Sequence, residues 1–340
     1  MSALGLHGFA VFRHRDFALI WGAMFLASVA MQMMAVAIGW QMYDLTGRAF
    51  DLGLVGLAEF LPSILLVFFT GAAADRFDRR IVTILAMAGE VICAGVLLYA
   101  AWTMTADRWT ILAVAAGFGI CRAFAAPAAR ALMPALVPEA ELPNAVAWPA
   151  IGGFLYAWGG PDLVYSPAGA MLFVGAAGMG AIRRPLRAVQ EVAESTYSKV
   201  VAGLRLIFRR KVLLGAISLD LFAVLFSSAI ALLPVFAKDV LQVGPDGLGI
   251  LRAAPGVGAV VMALALAQMP LRRSVGRILF LGVGIFGLCA VVFSLSTTFW
   301  LSVGLLVIMG AGDMVSVYIR GTIVPLATPD RLRGRVMAVE

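Results

Sequence analysis

Apolar runs of about 20 residues, separated by short clusters of charged and turn residues, recur along the whole of this 340-residue chain. An α-helix rises 1.5 Å per residue, so each run matches the roughly 30 Å hydrocarbon layer of a bilayer. Water is absent from that layer and cannot satisfy backbone N–H and C=O groups, which favours helices for runs of this length. Composition agrees: 62% of residues are hydrophobic and 13% are charged, whereas a soluble domain carries roughly 25% charged residues. The expected fold is all-α, a polytopic bundle of membrane helices with the lipid bilayer as its surroundings.

Run boundaries predict ten spans, at 17–41, 52–74, 81–104, 109–133, 142–160, 164–182, 212–236, 248–269, 278–297 and 299–325. When alternate connections are placed on opposite sides, the basic residues separate. One side receives Arg13 and Arg15, the cluster at Arg76, Arg79 and Arg80, Arg130, the stretch from Arg183 to Lys211, the cluster around Arg272, and the C-terminal arginines from Arg331. The other receives Arg48, Arg108 and Lys238. The positive-inside rule makes the first side cytoplasmic and puts the N-terminus there. The run after Arg13, His14 and Arg15 is too long for a cleaved signal peptide and reads as the first span. A net charge of +7 does not imply nucleic acid as a partner, because the basic residues punctuate apolar spans and form no continuous face.

The polar stretch 183–211 reads as a cytoplasmic linker between an N-terminal half, 1–182, with six helices and a shortened fifth, and a C-terminal half, 212–340, with four. Within it, Val200, Val201, Leu204 and Ile207 recur at helical spacing, as in an amphipathic helix lying on the inner membrane surface. The halves share a pattern. A shift of 193 lays Gly56, Pro62, Arg79 and Arg80 over Gly249, Pro255, Arg272 and Arg273. A shift of 191 lays Gly119, Pro134 and Pro138 over Gly310, Pro325 and Pro329. A duplicated bundle suits a transporter whose halves rock about a central site.

Ionisable residues at bilayer depth are costly and usually face protein or water. Glu59, Glu90, Arg122, Asp220, Arg252, Asp313 and Arg320 fall in or near predicted spans. The repeat lays Glu59 over Arg252 and Arg122 over Asp313, with opposite signs at equivalent places. Glu59, Arg122 and Asp313 are the candidates for a cavity that takes protons or a polar substrate; static ion pairing between helices is the alternative, and it is favoured for Glu90, Arg252 and Arg320. Asp220 is near enough to the inner end of its span to snorkel. Cys93, Cys121 and Cys289 lack the paired spacing of a zinc or redox site and read as small buried hydrophobes.

The segment GAAADRFDRR, Gly71 to Arg80, follows the second predicted span. Gly71, Asp75, Arg76, Arg79 and Arg80 in this arrangement resemble the cytoplasmic signature between the second and third helices of the major facilitator superfamily, with Asp78 where a second Gly is usual. Arg122 resembles that family's intramembrane Arg, which is associated with proton coupling, although the polar residues that often follow are absent. Pro149, Gly152 and Gly153 resemble the core of the fifth-helix motif of its exporters, with Trp148 where a Gly precedes the Pro. The stretches RAFAAPAARALMPALVPEAELPNAVA and TPDRLRGRVMAVE resemble the enterobactin-exporter-like efflux branch.

The resemblance implies proton-driven export of a small molecule, siderophore or drug-like, by alternating access in the bacterial inner membrane, with no cofactor. It also implies twelve helices and a cytoplasmic gate in which Asp75 works against the eleventh. The chain stops at Glu340 before an eleventh span, and its fifth span is short around Ala147 and Trp148. These departures suggest C-terminal truncation and an internal deletion, with a non-transporting remnant as the alternative function. No enzyme is expected: His7 and His14 sit near the N-terminus, and the Gly282-x-Gly284-x-x-Gly287 string lies inside a predicted span without a preceding strand.

Overall fold

A computed structural model describes residues 15–66, 69–70, 77–132, 142–182, 215, 218, 228–268 and 275–327. Among these residues every regular element is helical. The N-terminal elements are α1 (Arg15–Thr46), α2 (Ala49–Leu65), α3 (Arg79–Trp102), α4 (Arg108–Leu132), α5 (Leu142–Gly159) and α6 (Asp162–Gly180). After them come α7 (Leu233–Val235), between a 3-10 turn at Ser228–Leu232 and a π turn at Phe236–Val240, and then α8 (Pro245–Gln268), α9 (Val275–Leu295) and α10 (Phe299–Ala327). Seven of the described helices are long and apolar enough to cross a membrane: α1, α3, α4, α6, α8, α9 and α10. The chain is a multi-pass membrane protein. The predicted linker helix at 197–208 and Asp220 lie outside the described residues.

Local chemistry accounts for the boundaries. The Gly47 N–H bonds the Tyr43 carbonyl at 2.8 Å, and its φ of +61° ends α1 in the left-handed conformation that glycine adopts cheaply. Helix α3 begins where the Asp78 carboxylate accepts from the Arg80 N–H at 2.9 Å. At α4, Asp107 Oδ1 accepts from the Thr110 N–H at 2.9 Å and from its hydroxyl at 2.5 Å. Gly160, at φ +76°, makes the turn between α5 and α6.

Packing divides the chain into two compact units. The first comprises Met1–Glu141, Ala147–Gln190 and Val243–Gly249. Here α1 packs on α6, α3 on both α4 and α6, and α2 on α4. Ala23, Met87, Met179 and Ile182 join α1, α3 and the end of α6 in one buried cluster. The Tyr165 hydroxyl donates to Gln41 Oε1 at 2.6 Å and ties α6 to α1 within that interior. The second unit comprises Leu142–Val146, Glu191–Gln242 and Ile250–Glu340. In it α9 packs along α10, and Leu266, Leu279, Val315 and Ile319 bury together.

Glycine supplies the close approaches that membrane helices need when lipid is as apolar as their own side chains. A Cβ on Gly119 of α4 would strike the Glu59 carbonyl of α2, and one on Gly310 of α10 would strike the Pro255 carbonyl of α8. Gly119 and Gly310 are the pair laid together by the sequence shift of 191. The Gly282-x-Gly284-x-x-Gly287 string lies wholly within α9, and Gly282 faces the Gly312 carbonyl of α10. Trp102, Trp109 and Trp158 of the first unit, and Trp300 of the second, are exposed near helix ends, as aromatic side chains at a membrane interface are.

Candidate functional site

Helices α2 and α4 meet without side chains at Gly119, and the nearest long polar groups meet one turn further along α4. Arg122 Nη1 lies 2.5 Å from Glu59 Oε1. The two side chains retain 58% and 35% of their exposure respectively. Neighbouring α3 contributes Glu90, which is 4% exposed and within electrostatic reach of Arg122. Three of the intramembrane charges thus converge in the first unit. Asp313, by contrast, lies on α10 in the second unit and is exposed, one turn beyond the close contact at Gly310. Arg252 is half-buried on α8. The side chain of Arg320 lies outside the described residues.

A second ion pair joins the other ends of the same two helices. Arg108 Nη2, at the start of α4, lies 2.9 Å from Asp51 Oδ1, on an Asp51 side chain only 1% exposed. The approach is not aligned as a hydrogen bond, and neither Asp51 oxygen has such a partner. Attraction between opposite charges therefore holds this carboxylate. Sequence reasoning missed it because Asp51 reads as an ordinary acidic residue in a first helical turn. The available signal was Arg108, one of the few basic residues on the side poor in them.

The basic cluster is described in part. Gly71, Asp75 and Arg76 lie outside the described residues, as does the side chain of Arg79. Arg80 donates from Nε to the Met179 carbonyl at 3.3 Å and from Nη2 to the Gly180 carbonyl at 2.5 Å. Those carbonyls end α6, where the partial negative charge of the helix terminus welcomes a cation. Asp78, which departs from the usual glycine, has the local task of capping α3.

Helix α5 carries Pro149 within its length. A Cβ on Gly152 would come 2.9 Å from the Met33 Cα of α1, and one on Gly153 would strike the Pro245 carbonyl. Reciprocally, a Cβ on Gly249 would lie 2.7 Å from the Pro149 carbonyl. These residues bring α5 into backbone contact with both α1 and the start of α8.

The cysteines differ from the sequence expectation. Cys289 is buried, but Cys93 and Cys121 are half-buried and hydrogen-bond to each other. Among the described residues no group of three or more His, Cys, Asp or Glu side chains is placed to hold a metal ion.

Residues 6–340 match a major facilitator family described as transmembrane secretion effectors. The multidrug efflux pump Tap of Mycolicibacterium fortuitum is 26% identical over 333 residues, covering 89% of this chain and 79% of Tap. The enterobactin exporter EntS of Escherichia coli is 26% identical over 347 residues, covering 95% of this chain and 80% of EntS. Among solved structures, a point mutant of the nucleoside transporter NupG superposes with a TM-score of 0.68 at 12% identity, covering 96% of this chain and 86% of that one.

Proposed function

Because this chain belongs to the transmembrane secretion effector family of major facilitator transporters, we propose that it exports a small siderophore-like or drug-like molecule in exchange for protons. The family consists of transporters, not enzymes. We place the chain in a bacterial cytoplasmic membrane with its N-terminus inside, following the side richer in Arg and Lys.

The observation that carries this reading is the exposure of the Glu59–Arg122 pair. Both residues sit near the middle of their spans, where a charged side chain facing lipid costs roughly 2.5–3.5 kcal/mol on insertion scales. An ion pair holding the helices together would gain by being enclosed. One left 58% and 35% exposed is more cheaply accommodated beside a water-filled cavity, where a carboxylate can exchange a proton and a guanidinium can contact a polar substrate. Asp313 is the corresponding candidate in the other half. Gly71, Asp75, Arg76, Arg79 and Arg80 form the proposed cytoplasmic gate, in which Arg80 fixes α3 against the end of α6. Pro149, Gly152 and Gly153 let α5 lie close enough to its neighbours to serve as a packing seam.

The reading is tested by expressing the chain in an efflux-deficient bacterium and following accumulation of a panel of siderophores, drugs and dyes. At least one compound is expected to accumulate less in an energised cell, and a protonophore should abolish the difference. Arg122→Ala and Glu59→Gln should abolish it at equal expression. Export that persists in both variants would sink the site assignment, and export indifferent to the protonophore would sink the coupling.

A further inference from the structure

Helices α3 and α4 carry the same short pattern, a glycine followed four residues later by a cysteine: Gly89 and Cys93 on α3, Gly117 and Cys121 on α4. The helices run antiparallel, so each glycine meets the other helix's cysteine. A Cβ on Gly89 would lie 2.5 Å from Cys121 Sγ, and one on Gly117 would lie 2.7 Å from Cys93 Sγ. Each thiol thus rests in the notch left by a missing side chain, and the two thiols hydrogen-bond across the seam. Both residues are half-buried, near the middle of helices that span the hydrocarbon layer.

We propose that Cys93 and Cys121 form a dithiol site that takes neutral trivalent organoarsenicals, bridging α3 to α4 within the membrane. The reciprocal notches seat the Cys93 sulfur against Gly117 and the Cys121 sulfur against Gly89, and the two sulfurs stand at hydrogen-bonding separation. A disulfide would draw them to about 2.05 Å, whereas an atom inserted between them bridges sulfurs that stay further apart.

Trivalent arsenic suits the place as well as the spacing. An aryl arsenoxide gives up its oxygen, arsenic forms one bond to each sulfur, and the two thiol protons leave with the oxygen as one water molecule. Arsenic stays trivalent, no oxidant is consumed, and the adduct is uncharged, which matters where an uncompensated charge is costly. The aryl group lets the reagent reach the site through lipid. Two thiols held together also make the second As–S bond intramolecular, so the bridged adduct resists competition by monothiols.

The test uses the full chain in lipid nanodiscs and phenylarsine oxide, followed by a monothiol wash and intact-mass analysis. One arylarsenic unit per chain is expected to survive the wash and to be released by a small dithiol. Cys93→Ser and Cys121→Ser should each lower retention at least tenfold, while Cys289→Ser leaves it unchanged. Retention at the parental level in either of the first two variants overturns the proposal. Peptide mapping of the parental adduct asks the same question without a substitution: a bridge joining the segments that carry Cys93 and Cys121 is expected, and attachment at Cys289 or no retained adduct refutes the site.

Discussion

Replacing Gly119 with alanine probes the close approach of α2 and α4. The added Cβ would lie 2.9 Å from the Glu59 carbonyl carbon and 3.1 Å from its Cα, with the carbonyl oxygen closer still. Ordinary contacts between carbon atoms are roughly 3.5–4.0 Å. The obstructing atoms are backbone, so no rotamer change relieves them, and the helices have to separate by about half an ångström or more. Overpacking of this kind costs about 1–3 kcal/mol. In water a Gly→Ala change within a helix would recover up to about 1 kcal/mol through propensity, but a membrane span remains helical even when its neighbours dissociate. Most of the clash therefore survives as destabilisation. Gly95→Ala is the matched control, because its Cβ would meet nothing within 4 Å. In thermal unfolding of the purified chain in one detergent, Gly119→Ala should unfold several degrees below the parent, and Gly95→Ala close to it. Equal behaviour of the two variants would refute the steric account of the α2–α4 seam.

Arg108→Ala leaves the 1%-exposed Asp51 side chain without its ion-pair partner, with a cost on the order of 3 kcal/mol, at the low end of the range for buried pairs because Arg108 is partly exposed. Adding Asp51→Asn should recover a large part of that loss in a double-mutant cycle, and purely additive losses would show the two residues to be independent. Asp107 presents a pH-dependent case. Its hydrogen bonds from Thr110 hold its carboxyl below the ordinary carboxylate value, so its contribution is complete above about pH 4 and fades as pH falls through the lower folded-state value. Hydrogen exchange at the Thr110 amide should report that fading in acid; protection already lost at pH 5, after correction for intrinsic exchange, would contradict the assignment.

Much of the helical layout is legible as apolar periodicity broken by charge, Gly and Pro. The predicted start of the sixth span at 164 and the observed start of α6 at Asp162 differ by two residues because Pro161, after the turn at Gly160, sets the boundary. Partnerships are harder to read. Glu59 and Arg122 are recognisable as intramembrane charges, but they lie 63 residues apart in sequence, and only the crossing of α2 and α4 at Gly119 makes them neighbours. Asp51 gives no local sign of burial, and its ion-pair partner Arg108 comes from a different helix. Cys93 and Cys121 look unrelated by linear spacing. Their relation emerges when the Gly–Cys pattern of one helix is read against the reversed pattern of the other. Asp78 shows a different limit, because comparison with a motif marks it as a departure whereas hydrogen-bond chemistry explains it as a helix cap.

The bonds from Arg80 to the end of α6 also level a boundary. Helix α3 has 24 residues and α6 has 19, so their lengths are about 36 Å and 28 Å. Pinned flush at the basic end, the longer helix overshoots the shorter by about 8 Å at the opposite end, before any tilt. Trp102 and Met104 stand on that overhang, 80% and 93% exposed. Where α3 and α6 lie side by side, their ends are thus level at one margin and stepped at the other, and a membrane of uniform thickness has to deform at that step or lean the longer helix over.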